Sequence, residues 1–192
     1  MKIHQTYHYF KLIKQFCLLL LLALLLSVKA YAQTNIYVLK AVYLEKFSRF
    51  ITWPDECAMD DASKPFVIGV MGKTPLYKNL EQIYAIQKIN NKKVEIRKIT
   101  DLYQIKDVHV LFIAESEKRN LQNILTLTEQ LPVLTISETT DFAKKGVIIN
   151  FYEEGNKLRF EINETAALKS PLQLSFYLLN SAKIVNPIKA NK

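Results

Sequence analysis

The sequence predicts a single α/β domain with a mostly parallel sheet, an antiparallel hairpin near its end and a terminal helix. Short, nearly continuous apolar runs, typical of strands buried on both faces, alternate with stretches in which apolar residues recur at helical spacing. Two later runs flank a turn-like segment, which predicts the hairpin. The chain has 192 residues, 49% of them hydrophobic and 23% charged, and this suits one domain. Alternating strands and helices therefore indicate an α/β sheet.

The first 32 residues match the pattern of a secretory signal peptide. They contain an apolar run, Phe16–Val28, and end in the small-residue sequence Ala30-Tyr31-Ala32. A membrane anchor is the alternative, but it needs about 20 apolar residues, more than this run supplies. We therefore expect the protein to be exported and its mature form to begin at Gln33. The basic residues that precede the run are Lys2, Lys11 and Lys14.

Removing residues 1–32 changes the charge and the chemistry that the chain can carry. The full chain has a formal net charge of +8. The removed segment holds four lysines and no acidic residue, so the mature chain carries +4. That modest charge argues against nucleic-acid binding, which needs a concentrated basic surface. Cys57 is left as a single cysteine and cannot form an internal disulfide. We assign the domain to residues 33–185 and a polar tail to residues 186–192.

Helices and strands alternate through the first two thirds of the mature chain. Residues 35–51 are predicted to form an amphipathic helix that stops at Trp53-Pro54. Thr74-Pro75 predicts the start of a second helix, and Ser116 is predicted to cap a third. Lys93–Arg97 alternates, and its lysine-rich flanks suit a sheet edge. The runs of buried-strand type are Phe66–Met71, Val108–Ala114 and Val133–Ser137.

The last third of the mature chain predicts the hairpin and the terminal helix. Val147–Phe151 and Leu158–Ile162 flank a loop of two glutamates, a glycine and an asparagine. Ser170-Pro171 is predicted to open a final helix, which Asn186-Pro187 ends. The apolar stripe of this helix consists of Leu174, Leu178 and Val185.

No residue set in the mature chain has the pattern of a catalytic site. Gly69–Thr74 follows a strand but lacks the spacing of a phosphate-binding loop. His109 lies inside an apolar run, which favours a place in the core. Cys57 stands beside Asp55 and Glu56, whose charges raise a thiol pKa and make it a poor nucleophile. We predict no enzymatic activity, no cofactor and no metal site.

Polar residues at predicted strand ends are the first candidate for binding. Partners and ligands of open α/β sheets sit at the carboxyl ends of the strands. Lys73, Ser116, Ser137 and Thr139 follow three such strands, although capping of helices accounts for them equally well.

A second candidate lies on the hairpin. Arg159, Glu161 and Asn163 share one strand face by period-two spacing, either as a solvated face or as a polar contact strip. Trp53 and Arg159 are residue types that often anchor protein interfaces. For Trp53, burial in the core is the stronger alternative.

An ordered set of segments resembles the YfiR-like family of exported bacterial regulators. The resemblance implies a periplasmic, non-catalytic, three-layer α/β domain that represses a membrane diguanylate cyclase by binding its periplasmic sensing part. Trp53, Gly69, Phe160 and Asn163 match motif positions of that family. The segments are Ala41–Pro54, Pro65–Gly72, His109–Ile113, Pro132–Ser137, Phe142–Gly146 and Arg159–Asn163, followed by the predicted helix Leu174–Val185.

These observations predict a non-catalytic periplasmic regulator. It would bind the sensing segment of an inner-membrane signalling protein, a diguanylate cyclase or a sensor kinase, and control its output. The alternative is a periplasmic small-molecule binding module or transport accessory that uses the strand-end residues. A small-molecule ligand and a homodimer stay open as further partners.

Overall fold

The computed structural model describes residues 14–21 and 36–186. The chain divides into two units, Met1–Val38 and Leu39–Lys192. In the first unit, residues 14–21 form a helix whose side chains are all exposed.

Three of the sequence predictions fall wholly or mainly outside the described residues. These are the signal peptide, the mature start at Gln33 and the polar tail. Among the residues that the structure does describe, no helix is long and apolar enough to cross a membrane.

The main unit contains short helices and strands in alternation. Within residues 36–186, three 3₁₀ helices also occur, at Asp55–Cys57, Leu102–Asp107 and Glu115–Glu117. The α-helices are α1 (residues 36–49), α2 (Leu76–Tyr84), α3 (Leu121–Thr128), α4 (Phe142–Lys145), α5 (Glu164–Lys169) and α6 (Phe176–Asn180). The strands are β1 (Ile51–Thr52), β2 (Phe66–Met71), β3 (Lys88–Ile89), β4 (Lys92–Ile99), β5 (Val110–Ile113), β6 (Leu134–Ser137), β7 (Ile149–Glu154), β8 (Lys157–Asn163), β9 (Gln173–Leu174) and β10 (Lys183–Val185).

Eight strands form one mostly parallel sheet in the order β10-β8-β7-β6-β5-β2-β4-β3. The five strands β4, β2, β5, β6 and β7 run parallel to one another. β8 returns antiparallel to β7, and β10 pairs parallel with β8. A separate antiparallel pair joins β1 to β9. The predicted fold class is confirmed.

Helices cover both faces of the sheet, which makes three layers. On one face, the Phe47 ring of α1 lies 4.9 Å from the Phe160 ring of β8. The Tyr84 hydroxyl of α2 donates to the Ala41 carbonyl of α1 at 2.8 Å, so α1 and α2 lie together. On the other face, α3 and the 3₁₀ helix Leu102–Asp107 enclose a core whose members include Met71, Ile105, Leu111, Ile124 and Phe142.

The hairpin prediction is confirmed, and its turn has a clear physical basis. Glu154 pairs with Lys157, so Gly155 and Asn156 form a two-residue connection. Both have positive φ, +56° and +58°, as the type I′ turn of tight hairpins requires. Glycine and asparagine are the residues that adopt this backbone at least cost.

Three local predictions differ from the structure. The terminal helix is present, but α6 spans only Phe176–Asn180 and lies between β9 and β10. Ser116 does not cap α3, whose N-cap is Asn120. The alternating segment is longer than predicted, and β4 is not the outermost strand, because the two-residue β3 pairs with its start.

Candidate functional site

Two of the predicted strand-end residues, Lys73 and Ser116, bond to each other. The Lys73 backbone N–H donates to Ser116 Oγ at 2.8 Å. They lie between β2 and β5, where the strand order reverses and open sheets of this kind usually bind ligands. A Cβ added at Gly72 would lie 2.5 Å from Ser116 Oγ, so nothing of that size fits there. The loops that follow β2 and β5 therefore meet at this point.

The other two strand-end residues, Ser137 and Thr139, form a second local pair. The buried Ser137 hydroxyl donates to the Ile113 carbonyl at 2.8 Å and accepts from the Thr139 N–H at 3.1 Å. The Thr139 hydroxyl is buried without a hydrogen-bond partner among the described residues. Lys40 of α1 forms an ion pair with Glu138 between them. The four residues thus lie at the carboxyl ends of neighbouring strands, where their backbone and hydroxyl groups bond mainly within the chain while the Lys73 side chain is exposed.

Trp53 lies in the core. Its side chain is only 9% exposed. The indole N–H donates to the Ser48 carbonyl at 3.2 Å, and the ring meets that of Phe66 edge-on at 5.8 Å. This placement fits the packing alternative, because an anchor residue has to be accessible to its partner.

Asn163 joins α5 to α4. Its Oδ1 accepts from the Ala166 N–H at 2.9 Å and so caps α5, while Nδ2 donates to the Ala143 carbonyl at 2.6 Å. The side chain is buried. Both of its polar atoms are satisfied within the protein.

Arg159 is accessible to a partner, as are the exposed residues Lys73 and Ser116 at the strand ends. It lies in a cleft of about 590 Å³ beside the sheet edge formed by the first half of β8. Half of its side chain is exposed, and its guanidinium contacts Glu154 Oε2 at 2.8 Å. Lys183 shares the cleft and places its ammonium 5.5 Å from the centre of the Tyr152 ring. The remaining lining residues are Tyr43, Lys157, Leu158, Phe160, Asn180, Ser181 and Ala182.

Two exposed aromatic residues beside this cleft were missed by the sequence reasoning. Phe176 and Tyr177 are 71% and 74% exposed, and their ring centres are 6.4 Å apart. They begin α6, whose last residue, Asn180, lines the cleft about 6 Å further along the helix axis. The spacing of Leu174 and Leu178 could have indicated the exposure of these two rings. Phe176 and Tyr177 fall outside that apolar stripe, and residues outside the stripe of an amphipathic helix face solvent.

The His109 side chain is held by contacts within the protein. Its Nδ1 accepts from the Val67 N–H at 3.0 Å, so Nε2 carries the proton and lies 3.4 Å from the Cys57 carbonyl oxygen. The imidazole stacks on the Phe66 ring at 4.7 Å. Burial lowers the pKa of His109, and the charges of Lys92 and Arg97 lower it further.

Cys57 is not an activated nucleophile. Burial, and then the charge of Glu56, raise the pKa of its thiol to about 11. A protonated thiol is unreactive at neutral pH. Within residues 14–21 and 36–186, no group of histidine, cysteine or acidic side chains could hold a metal ion.

The fold and these side chains define a three-layer α/β domain with an accessible cleft of polar and aromatic side chains beside β8. The model of the YfiR/HmsC-like family (DUF4154) matches residues 37–183. The chain therefore belongs to the YfiR/HmsC-like family, as the resemblance suggested. The family is regulatory and periplasmic, and it suggests a role in diguanylate cyclase signalling through a partner signalling protein.

Other comparisons are more distant. No curated relative matches the chain. A solved structure, the ABC domain in complex with L-Trp from Streptococcus pneumonia, is similar at a TM-score of 0.46 and 9% identity. The match covers 62% of this chain and 55% of that one, so the chain spans about half the length of that protein. A similarity at this level supports no statement about function.

Proposed function

We propose that this protein is a non-catalytic periplasmic regulator. It binds the periplasmic sensing segment of an inner-membrane signalling protein, a diguanylate cyclase or a sensor kinase, and controls its output. The observation that carries the proposal is the family match over residues 37–183, nearly all of the proposed mature domain. Control by association requires that the protein bind one state of the sensor more tightly than the other.

The Arg159 cleft is the part of the surface best suited to this role. Arginine and aromatic residues are enriched among the anchors of protein interfaces, and Arg159 shares its cleft with Tyr152 and with Asn180, the last residue of α6. The hydroxyls of Ser116 and Ser137, with the buried Trp53 and Asn163, bond within the domain that presents the cleft.

Deletion and complementation test the proposal. The gene is deleted and cyclic-di-GMP, or phosphorylation of a sensor kinase, is measured. We expect the output to change, and the wild-type gene to restore it. Arg159→Ala should weaken binding at least tenfold, about 1.4 kcal/mol, and restore the output incompletely.

The matched control is Lys88→Ala. Lys88 is also exposed and basic, but it lies on β3 at the opposite edge of the sheet. Complementation with Lys88→Ala should restore the output fully. An output that does not change on deletion would refute the regulator. Full restoration by Arg159→Ala would refute the site and leave the regulator standing.

A second candidate function, binding of a small anion, is favoured by another cleft. A space of about 460 Å³ lies between α3, α4 and α5. Its walls include Lys144, Lys145 and Lys169, with Glu129 as the carboxylate that opposes them. Lys144 and Lys169 are paired with carboxylates, whereas Lys145 forms no ion pair with any residue that the structure describes. A cleft of this size suits a metabolite.

A titration with succinate and with inorganic phosphate tests this alternative. Saturable binding should raise the melting temperature by several degrees, because a ligand that binds only the folded state stabilises it. Lys145→Glu should abolish the shift and Lys88→Glu should preserve it. The alternative is wrong if neither anion gives a saturable shift.

A further inference from the structure

Half of strand β8 forms an unpaired edge of the main sheet. On one side, β7 pairs with β8 from Lys157 to Ile162. On the other side, β10 pairs only with Glu161, Ile162 and Asn163. In the described part of the chain, no strand pairs with residues 157–160 on that side. This part of β8 faces the cleft whose other wall is Asn180–Ala182, the segment that leads into β10.

The register of the hairpin identifies which backbone groups face this edge. In a two-residue hairpin, the residues next to the turn exchange hydrogen bonds with each other, and bonded and non-bonded pairs then alternate along the strands. Glu154 and Lys157 are therefore bonded, as are Tyr152 and Arg159. The N–H and C=O groups of Leu158 and the N–H of Phe160 consequently point outward without a partner strand, whereas the Phe160 C=O lies where the register places the Lys183 N–H of β10.

The side chains around the edge are basic and aromatic. Lys157, Arg159 and Lys183 line the cleft beside it, and no carboxylate is among the lining residues. The charge of Arg159 is partly offset by Glu154, while Lys157 and Lys183 form no ion pair within the described residues. A segment that lies here would meet two to three positive charges.

We propose that the regulated partner binds by strand addition. An extended acidic segment of the sensor pairs its backbone with Leu158 and Phe160 of β8, continuing the line of β10. Its carboxylates meet Lys157, Arg159 and Lys183. Backbone hydrogen bonds supply affinity in this mode of recognition, and the flanking side chains supply specificity. The inference rests on the proposed function and adds the chemistry of the partner and the mode of contact.

A second copy of the chain is the less suitable occupant. Antiparallel pairing of β8 with β8 of another copy would bring the lysines and the arginine of both chains together. Like charges placed across neighbouring strands are destabilising. An acidic segment removes this repulsion and leaves the same backbone bonds available.

The first test is charge reversal in the complemented deletion strain. Lys157→Glu combined with Lys183→Glu should reduce capture of the solubilised sensor at least tenfold and abolish control of the output. The control variant combines Lys88→Glu with Lys93→Glu, two exposed lysines at the opposite edge, and should behave as the wild type. Equal circular dichroism spectra and melting temperatures confirm that both variants fold.

The second test is amide hydrogen exchange in the purified complex. The Leu158 and Phe160 amides should exchange rapidly in the free protein and at least tenfold more slowly in the complex. The Arg159 amide, which bonds to β7, should be protected in both. If the complex forms while the Leu158 and Phe160 amides exchange as in the free protein, strand addition is wrong and the regulator stands. If deletion leaves the output unchanged, the proposed function itself fails.

Discussion

At the scale of single residues, the hydrogen bonds and the burial of His109 determine its protonation state. It joins the start of β5, the β2 backbone at Val67 and the loop carbonyl of Cys57. The bond from the Val67 N–H requires the neutral ring, because Nδ1 can accept it only while it carries no proton, whereas the Nε2–H can donate to Cys57 in either form. Burial also disfavours the charged form and lowers the pKa of His109 below 6.5.

This lowered pKa sets the sign of a pH effect on stability. The unfolded chain binds the proton more tightly than the folded protein does. The stabilisation is therefore complete above pH 6.5 and is lost as the pH falls below it. We expect the free energy of unfolding to fall as the pH is lowered from 7.5 to 5.5. The contribution of His109 to this fall should stay below about 1.4 kcal/mol per pH unit, which is the limit for uptake of one proton. Urea unfolding at several pH values measures it.

The control for the pH effect is His109→Gln. Glutamine can accept from Val67 and donate to the Cys57 carbonyl, but it does not titrate. Between pH 7.5 and 5.5, the free energy of unfolding of this variant should decline less steeply than that of the wild type. Identical slopes for the two proteins would show that His109 is not the titrating group.

Cys57 should be slow to react with alkylating agents. Its thiol pKa of about 11 stands two units above the ordinary value of 9.0, so about 100-fold less thiolate is present near neutral pH. We expect iodoacetamide to modify Cys57 about 100-fold more slowly than free cysteine at pH 8, as measured by mass spectrometry of the Cys57 peptide. Glu56→Gln should accelerate the reaction only slightly, because burial is the larger cause. A rate equal to that of free cysteine would contradict this.

At the scale of elements, the turn that follows β2 depends on a glycine. Gly72 has a φ of +91°, and a Cβ there would meet Ser116 Oγ at 2.5 Å and Ala114 Cβ at 3.0 Å. Gly155 also has a positive φ, but a Cβ there would meet nothing within 4 Å. Gly155→Ala should cost about 1 kcal/mol of backbone strain. Gly72→Ala should cost about 3 kcal/mol, because overpacking adds about 1–3 kcal/mol.

Urea unfolding of the two glycine variants separates backbone strain from steric conflict. Adding Ser116→Ala to Gly72→Ala should recover part of the loss, and the double-mutant cycle measures the coupling. Equal destabilisation by Gly72→Ala and Gly155→Ala would mean that the Ser116 contact relaxes at no cost.

Local sequence signals predicted those elements that local forces determine. Phe66–Met71 has a continuous apolar pattern, and the structure forms β2 at these residues with every side chain buried. The predicted helix after Ser170 was too long for a different reason. Leu174 pairs with Ile51 in β9, and Val185 pairs with Asn163 in β10, so distant strands determine both ends. A spacing of four and seven residues cannot reveal such pairings.

The same limit applies to the candidate site. Period-two spacing correctly placed Arg159 and Asn163 on one strand face. The sequence could not predict that α4 and β10 cover only the second half of β8, so that Asn163 is buried and Arg159 stays exposed. Exposure of a residue in a sheet depends on which distant elements pack over it.

At the scale of the whole molecule, the predicted signal peptide would determine which part of the chain folds after export. The apolar run and the Ala30-Tyr31-Ala32 sequence predict cleavage before Gln33. We expect mass spectrometry of the exported protein to find an N-terminal peptide that starts at Gln33. Retention of residues 1–32 on the exported protein would contradict the prediction and favour a membrane anchor.

The exposed aromatic pair of α6 extends the predicted partner surface beyond the Arg159 cleft. Phe176 and Tyr177 have most of their area in solvent, so their removal should leave the melting temperature nearly unchanged. A partner that covers both the cleft and the start of α6 would bury both rings, and buried aromatic anchors often contribute more than 1 kcal/mol. We expect Phe176→Ala combined with Tyr177→Ala to weaken capture of the sensor at least tenfold.

The control for this surface is Ile86→Ala combined with Tyr103→Ala. These side chains are exposed to an even greater extent, 85% and 83%, and they lie next to elements that pack with β4, toward the other edge of the sheet. Binding measured by titration of the solubilised sensor should be unchanged in this variant. If both double variants weaken binding equally, the loss reflects general surface hydrophobicity, and the region around α6 is not the interface. If only the α6 variant binds less tightly, its dissociation rate should account for most of the change, as is usual for the loss of anchor residues.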